Sequence, residues 1–389
     1  MVRFKQTTTV LFWVATLFFS NSVQAGLLYS IVDLGTLGGT NSWGYGINDA
    51  GQVTGMAETI TRGQNAFITN VDNKMLDLGT LGGDTSVGYG INNFGQVTGS
   101  AKIASPTWYT AYDHAFIAQQ TGLMTDLGTL GGNISVGRSI NNAGQVVGYA
   151  RDSDGRTHGF INTSGVMTDL GFRGFALDIN DSGLVTGSYL TTNGSYHALI
   201  TNSDGNLTDL GTLGGYSSEG AAVNASGIVV GHSDTGRPYF TSGGTMSVSS
   251  HAFVTDSLGN MTDLGTLGGY QSIALDINDL GQIVGNSTTS ILKDYFSQYE
   301  KSAFVTENGV LKDLNSLLNV TDSGWFLTSA EGINNSGQIT GYGFHDGATR
   351  AFLLTPVSAV PEPWDICLFI SGLLGLFSVK PRSKQQLTE

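Results

Sequence analysis

Short apolar segments that alternate with polar residues cover most of this 389-residue chain. Four kinds of segment follow one another in fixed order: small-x-small-x-Ile-Asn, Gly-Gln-Val-x-Gly, His-Ala-Phe-Ile and Met-x-Asp-Leu-Gly. A period of two over four to eight residues, bounded by turn-forming residues, predicts β-strands. Because the order recurs at a spacing of roughly 40 to 54 residues, the sequence predicts a repeated unit of four short antiparallel strands.

The Ile-Asn segment predicts a hairpin between the first two strands of each unit. Its asparagine can open a type I turn by bonding its own backbone, and the glycine three residues later can take the positive φ that lets the next strand begin. The segment begins at Ile47, Ile91, Ile140, Ile179, Val223, Ile277 and Ile333.

The phrase Asp-Leu-Gly-Thr-Leu-Gly-Gly joins one unit to the next. It begins at Asp33, Asp77, Asp126, Asp209 and Asp263, with altered copies at Asp169 and Asp313. We expect Asp-Leu-Gly to be the fourth, outermost strand of a unit and the glycines to form a tight inward turn.

Four antiparallel strands per repeat are typical of a β-propeller blade. The chain begins on a lone Asp-Leu-Gly strand and ends on Ala351 to Leu354 without a strand after it, so the two ends together make one blade. We therefore predict an all-β, seven-bladed ring in which the strand near Ile31 to Leu34 closes the last blade and removes two open sheet edges. The alternative, an open β-solenoid, does not explain the divided unit.

Charge and cysteine content exclude several classes of function. The formal net charge of −14 predicts a surface that repels nucleic acid. Cys367 is the single cysteine, which excludes an intramolecular disulfide and a multi-cysteine metal site.

The polar residues of the repeats are expected to be structural. The aspartates of Asp-Leu-Gly would stand one per blade, too far apart for paired-carboxylate catalysis, so we predict hydrogen bonds to neighbouring turns. The histidines at one repeat position, His114, His158, His197 and His251, would be kept apart by the ring, so local polar contacts are expected in place of a metal cluster.

Two acidic turns resemble the start of a calcium loop. Asp152 to Gly155 and Asn202 to Gly205 lack the closing acidic ligand, so we predict hairpin turns, and calcium is the one cofactor they leave open. The sequence contains no catalytic signature of the common hydrolase, metalloprotease or nucleotide-binding kinds. We therefore expect no catalytic residue and no metal ligand.

Long aromatic insertions between the second and third strands are the candidate ligand-binding surface. In an up-and-down blade these loops and the Thr-Leu-Gly-Gly turns emerge on the same side, where exposed rings suit stacking on sugars or packing on a protein. Alternatively, the rings only pack their own loops. The candidate residues are Trp108, Tyr109, Tyr112, Tyr239, Phe240, Tyr295, Phe296 and Tyr299.

Both ends of the chain carry the composition of targeting segments. Residues 1–25 have the basic start, apolar centre and small residues of a signal peptide cleaved after Ala25, with a retained membrane anchor as the alternative. The repeats occupy 26–355, and a linker, 356–363, ends in Val360, Pro361, Glu362 and Pro363. Residues 364–389 form an apolar segment with a basic tail. This pattern predicts a sorting signal or, alternatively, a short transmembrane anchor.

The repeats closely resemble the bacterial extracellular HAF-repeat family over Val32 to Leu354, and the tail resembles the PEP-CTERM signal of Gram-negative bacteria. The second resemblance implies export, a transient stay in the inner membrane, processing by an exosortase, and attachment to the cell surface or the extracellular matrix. The HAF resemblance brings no catalytic residues. We expect a non-catalytic envelope or matrix protein that binds polysaccharide or protein; the alternative is a glycan hydrolase or lyase on a propeller scaffold.

Overall fold

The computed structural model describes residues 28–61, 63–104, 112–202, 205–240, 246–292, 299–319 and 324–357. Residues Leu28–Val357 form one compact unit. Among the described residues, no helix is both long enough and apolar enough to cross a membrane. The signal peptide, the cleavage site after Ala25, the Val360 to Pro363 motif and the apolar tail lie outside the described residues.

The described residues form strands and one short 3₁₀ helix. Blade 1 contains β2 (Gly38–Ile47), β3 (Val53–Thr59), β4 (Gln64–Thr69) and β5 (Met75–Asp77); blade 2 contains β6 (Gly82–Ile91), β7 (Val97–Ile103), β8 (Asp113–Ala118) and β9 (Met124–Asp126). Blade 3 contains β10 (Gly131–Ile140), β11 (Val146–Asp152), β12 (Thr157–Thr163) and the start of β13 (Val166–Ile179), and blade 4 contains the end of β13, β14 (Val185–Leu190), β15 (Tyr196–Thr201) and β16 (Leu207–Gly211).

The remaining blades follow the same order. Blade 5 contains β17 (Ser218–Val223), β18 (Val229–Phe240), β19 (Met246–Thr255) and β20 (Met261–Gly265); blade 6 contains β21 (Gly268–Ile277), β22 (Ile283–Leu292), β23 (Tyr299–Glu307) and β24 (Val310–Asp313). The 3₁₀ helix Leu314–Leu317 leads to blade 7, which contains β25 (Phe326–Ile333), β26 (Ile339–His345), β27 (Ala348–Val357) and, from the start of the chain, β1 (Leu28–Asp33).

The predicted closing strand is confirmed. β1 pairs antiparallel with β27 in the sheet order β1-β27-β26-β25, and Ile31 lies opposite Leu354. The structure is therefore the predicted seven-bladed β-propeller, with its first strand completing its last blade. This pairing removes the exposed edges that an open array would carry.

The Ile-Asn hairpins are also as predicted. In blade 1 the side-chain Oδ1 of Asn48 accepts the N–H of Gln52 at 2.9 Å, and the N–H of Gly51 donates to Asn48 O at 2.9 Å. The turn glycines have φ between 72° and 81°, a region that costs a side chain with a Cβ more than glycine. They are Gly51, Gly95, Gly144, Gly183, Gly227, Gly281 and Gly337.

The same asparagines form a closed ring around the axis, which the sequence analysis did not predict. Each side-chain Nδ2 donates to the backbone carbonyl of the asparagine in the next blade. The donor and acceptor pairs are Asn48 and Asn92 (3.0 Å), Asn92 and Asn141 (3.1 Å), Asn141 and Asn180 (3.2 Å), Asn180 and Asn224 (2.9 Å), Asn224 and Asn278 (3.4 Å), Asn278 and Asn334 (3.0 Å), and Asn334 and Asn48 (3.0 Å).

A buried serine joins most neighbouring blades. Ser86 Oγ in blade 2 accepts the N–H of Ala66 in blade 1 at 2.8 Å, beside the fully buried Phe67. The joint recurs at ring closure, where the N–H of Ala351 donates to Ser42 Oγ at 3.0 Å. Where the third strand carries an Ala-Phe pair with this serine, the pair therefore provides both the hydrophobic core of the blade and its link to the next blade.

The two altered repeats replace this serine joint in different ways. Between blades 3 and 4 the ring of Phe172 fills the space, and a Cβ on Gly159 would lie 2.5 Å from Phe172 Cζ, which explains why His158-Gly159-Phe160 lacks the usual alanine. Before blade 7, Asn315 takes over the joint: its Oδ1 accepts the N–H of Leu327 at 2.7 Å and its Nδ2 donates to Leu327 O at 3.0 Å.

The two faces of the ring differ in which loops they carry. Leu37, in a Thr-Leu-Gly-Gly turn, pairs with Thr59 at the end of the second strand, and Leu81 pairs in the same way with Ile103. The turns and the loops between second and third strands therefore share one side, as predicted, which we call the glycine-turn face. The Ile-Asn hairpins form the opposite, asparagine-turn face.

Candidate functional site

The aspartates and histidines of the repeats form local contacts within their own blades. His114 Nδ1 lies 2.9 Å from Asp126 Oδ2, and Asp126 Oδ1 also accepts the N–H of Gly128 at 2.7 Å. The predicted turn hydrogen bond is present at Asp33, Asp77, Asp126, Asp169, Asp209, Asp263 and Asp313. These residues stabilise the periphery of single blades and are not brought together.

The first acidic turn is a hairpin. Asp152 Oδ1 accepts the N–H groups of Asp154 and Arg156 at 2.9 and 2.8 Å, so this oxygen is used by the turn itself. Asn202 Oδ1 accepts the N–H of Asn206 at 2.8 Å, and the residues between Asn202 and Gly205 lie outside the described part. Within the described residues no group of three or more metal-binding side chains is present.

Few of the predicted aromatic ligand-binding residues can be placed. Tyr112 is exposed directly before β8. Tyr239 stacks on Tyr270 with ring centres 4.6 Å apart and planes 8° apart, and its hydroxyl accepts from Gln271 Nε2 at 3.3 Å. Tyr239 therefore couples an insertion of blade 5 to the glycine turn of blade 6. Trp108, Tyr109, Tyr295 and Phe296 lie outside the described residues, as do the side chains of Phe240 and Tyr299.

A channel of about 680 Å³ runs along the axis, lined by the innermost strand of every blade. The asparagine ring surrounds one end of this channel. A second cavity of about 410 Å³ adjoins it and shares Glu219, His232 and Ile273 as wall residues. Tyr196 and Ser217 line the second cavity, which places it toward the glycine-turn face. Its wall also includes Phe175, whose ring contacts Tyr149 edge-on at 5.0 Å and Tyr196 at 5.7 Å.

Two aspartates, Asp178 and Asp276, face the channel from deep inside the ring. Asp178 accepts from Ser139 Oγ at 2.6 Å and from the N–H of Val223 at 2.8 Å. Asp276 Oδ2 accepts the N–H of Ile333 at 2.8 Å. Each of the two carboxylates therefore accepts a hydrogen bond from the next blade.

Desolvation inside the ring raises the pKa of both carboxyl groups. It raises the pKa of Asp276 to about 7, against the lowering effect of its backbone hydrogen bonds, and the nearby Asp178 raises it further. The pKa of Asp178 is raised by the same desolvation. Both side chains still present part of their surface to the channel.

The repeat position directly before these aspartates also lines the channel. In four blades it holds Tyr45, Tyr89, Arg138 and Glu331. The guanidinium carbon of Arg138 lies 4.5 Å from the ring centre of Tyr89, a cation–π distance, and Tyr45 and Tyr89 are 5.6 Å apart. Burial raises the pKa of Glu331, and Arg138 opposes that rise. The wall thus combines aromatic surface, one guanidinium and a carboxylate acceptor.

The repeat pattern did not predict this channel chemistry. The position before the isoleucine of Ile-Asn is Gly46, Gly90, Ser139, Ala222 or Gly332 in five blades, and it is aspartate in the other two. The position before that one holds Arg138 and Glu331 among tyrosines and aliphatic residues. These departures from the repeat were a usable signal, but only the closed ring shows that the position faces a shared space.

No protein-family model matches the sequence, and no curated protein matches it. Among solved structures, the chain is similar to the WD40 β-propeller domain of Doa1 (14% identity, 85% of this chain and 98% of that chain, TM-score 0.38). It is also similar to a gluconolactonase from Xanthomonas campestris (9%, 85% and 90%, TM-score 0.35) and to a Trypanosoma rangeli sialidase mutant (10%, 89% and 55%, TM-score 0.35). These similarities are too distant to carry any conclusion about activity.

Proposed function

We propose that this protein is a non-catalytic binding propeller that holds an extracellular polysaccharide on its glycine-turn face. The supporting observation is the unequal distribution of exposed side chains. Among the described residues, the glycine-turn face exposes Ile60 and the aromatic residues Tyr112, Tyr196, Tyr216, Tyr270 and Phe344, whereas the opposite face exposes the aliphatic residues Val71, Leu123, Val166, Leu258, Leu280 and Val310 together with Phe94. Aromatic rings with a hydroxyl suit stacking on sugars, which aliphatic side chains do not.

The state of the channel acids favours binding over catalysis. Both oxygens of Asp178, and likewise of Asp276, accept hydrogen bonds from protein donors. A general acid or nucleophile must be free to contact the substrate. These carboxylates serve as joints between blades.

Attachment outside the cell is part of the proposal. The signal peptide ending at Ala25 and the resemblance of the tail to PEP-CTERM signals support export and exosortase processing, and the repeats support membership of the HAF family. The protein would then present its binding face at the cell surface or in the matrix.

Retention on immobilised matrix polysaccharide tests the binding face. Changing Tyr216 alone to alanine should reduce retention without lowering the melting temperature. Changing Trp108, Tyr239 and Tyr295 together should also reduce retention, but it removes the stacking of Tyr239 on Tyr270, so a small fall in melting temperature is expected as well. Phe94→Ala on the asparagine-turn face is the matched control and should retain the polymer. Equal retention by all variants, or capture of a protein and no polysaccharide, would rule out the proposed site.

The alternative is a glycan hydrolase or lyase, which the raised pKa of Asp276 in an open channel favours. A turnover assay on matrix polysaccharides decides between the two. Product release that is lost in Asp276→Asn would replace the binding proposal with the enzymatic one.

A further inference from the structure

Arg138 is the one arginine among the described residues that line the channel, and no lysine lines it. It lies on β10 at the position that holds tyrosine in blades 1 and 2. Its Nε is buried and has no hydrogen-bond acceptor in the protein, while its guanidinium lies over Tyr89. A buried charged donor without an acceptor is costly, so this side chain needs an anionic or strongly polar partner.

Neither Glu331 nor Glu219 pairs directly with Arg138. Glu331 accepts from Ser329 Oγ at 2.6 Å, and Glu219 accepts from Ser188 Oγ at 3.3 Å. Among the described residues no salt bridge joins either acid to Arg138, which acts on Glu331 only electrostatically and without direct contact. Each acid therefore has its own hydroxyl donor, and the guanidinium remains available.

We propose that Arg138 binds the carboxylate of a hexuronic acid residue, whose ring lies against the Tyr45–Tyr89 wall of the channel. This inference rests on the proposed function and adds to the glycine-turn face a second contact, inside the channel, that names the class of polysaccharide. A guanidinium forms paired, charge-assisted hydrogen bonds to a carboxylate. The hydroxyls of the same sugar can donate to Glu331 and Glu219, which supply acceptors in the same space.

The size of the channel fits this ligand. A volume of about 680 Å³ is in the range of pockets that hold small molecules and is sufficient for one or two sugar rings. The net charge of −14 slows the approach of an anion, but screening at physiological salt limits this repulsion to about 8 Å. Short-range pairing with Arg138 then decides affinity.

Calorimetric titration of the full chain with galacturonate and glucuronate, against galactose and glucose, tests the proposal. We expect the uronates to bind and the neutral sugars to bind at least about tenfold more weakly, because one charge-assisted pair is lost. Arg138→Gln should abolish this preference, and Arg138→Lys should restore part of it. Arg173→Gln, at an exposed arginine, is the matched control and should bind like the unchanged protein.

Two results would overturn the proposal: equal binding of uronates and neutral sugars, or an unchanged preference in Arg138→Gln. Melting temperatures identify a variant that fails to fold, and Arg138→Lys then carries the test. Retention on the immobilised polymer is measured in parallel, and Tyr216→Ala is the variant expected to lose it. Retention without a uronate preference overturns only the Arg138 site, whereas loss of both overturns the binding function as well.

Discussion

Asn334 donates its side-chain amide to the backbone carbonyl of Asn48, 286 residues earlier in the chain, at 3.0 Å. The bond completes the asparagine ring at the point where the last blade meets the first. Oδ1 of Asn334 also holds its own turn by accepting the N–H groups of Ser336 and Gln338 at 3.1 and 2.9 Å. One side chain therefore defines a local hairpin and closes the whole fold.

Asn334→Ala should lower the free energy of unfolding by about 2 kcal/mol or more, because buried backbone groups lose their partners. Urea unfolding measures the difference. Ser336→Ala, at the exposed tip of the same turn, should change it by less than about 0.5 kcal/mol. Equal effects at the two positions would mean that the ring contributes no closure energy.

Deletion of residues 26–35 should destabilise the protein sharply, since β27 loses the partner that covers its edge. The deletion also removes Tyr29, which is fully buried. Thermal melting and gel filtration should show a lower transition temperature and association through the free edge. A melting temperature within a degree or two of the full chain would contradict closure by β1.

The raised pKa of Asp276 predicts a fall in stability between about pH 4 and pH 7. The folded state keeps the proton up to about pH 7, whereas an unfolded aspartate loses it near pH 3.9. In that interval the folded state binds more protons, so unfolding becomes easier as pH rises, by at most about 1.4 kcal/mol per pH unit.

Asp276→Asn should remove this part of the pH dependence, apart from a constant offset caused by the lost N–H acceptor. Urea unfolding from pH 4 to pH 8 measures how the free energy of unfolding of each protein changes with pH. Asp256→Asn is the opposite control: hydrogen bonds from Asn260 lower the pKa of Asp256, so this aspartate favours folding above its unfolded pKa. Identical slopes in Asp276→Asn and the unchanged protein would contradict the assignment.

Gly159→Ala should destabilise blade 3 by about 1 to 3 kcal/mol, because the added Cβ overlaps the ring of Phe172. The double variant Gly159→Ala with Phe172→Ala should lose less stability than the two single changes added together. A double-mutant cycle of unfolding free energies measures this coupling. Additive losses would show that the overlap is relieved elsewhere.

Export predicts a mature chain that begins at Gly26 and a tail that directs it to the surface or medium. Replacing Pro361, Glu362 and Pro363 with alanine should leave the protein in the inner membrane fraction. Mass spectrometry of the N-terminus and cell fractionation give the two readouts. Unchanged fractionation would reject the sorting function of the tail.

Sequence alone determined the strands, the hairpins and the number of blades. Each of these depends on local chemistry: a period of two, an asparagine that bonds its own turn, and a glycine at positive φ. Even closure was readable, because the unpaired strand at Ile31 and the unpaired strand at Leu354 complete each other. The peripheral aspartates were predicted correctly because their partners are two residues away.

Tertiary structure decided what the inward-facing positions do. Asp178 and Asp276 are separated by a whole blade in the sequence, and only the closed ring turns them toward one channel, where desolvation raises the pKa of both. The second role of Asn334 was likewise unreadable, since its acceptor is 286 residues away. Local pattern fixes backbone conformation, whereas distance across the ring, burial and the neighbours of Arg138 depend on how the blades are assembled.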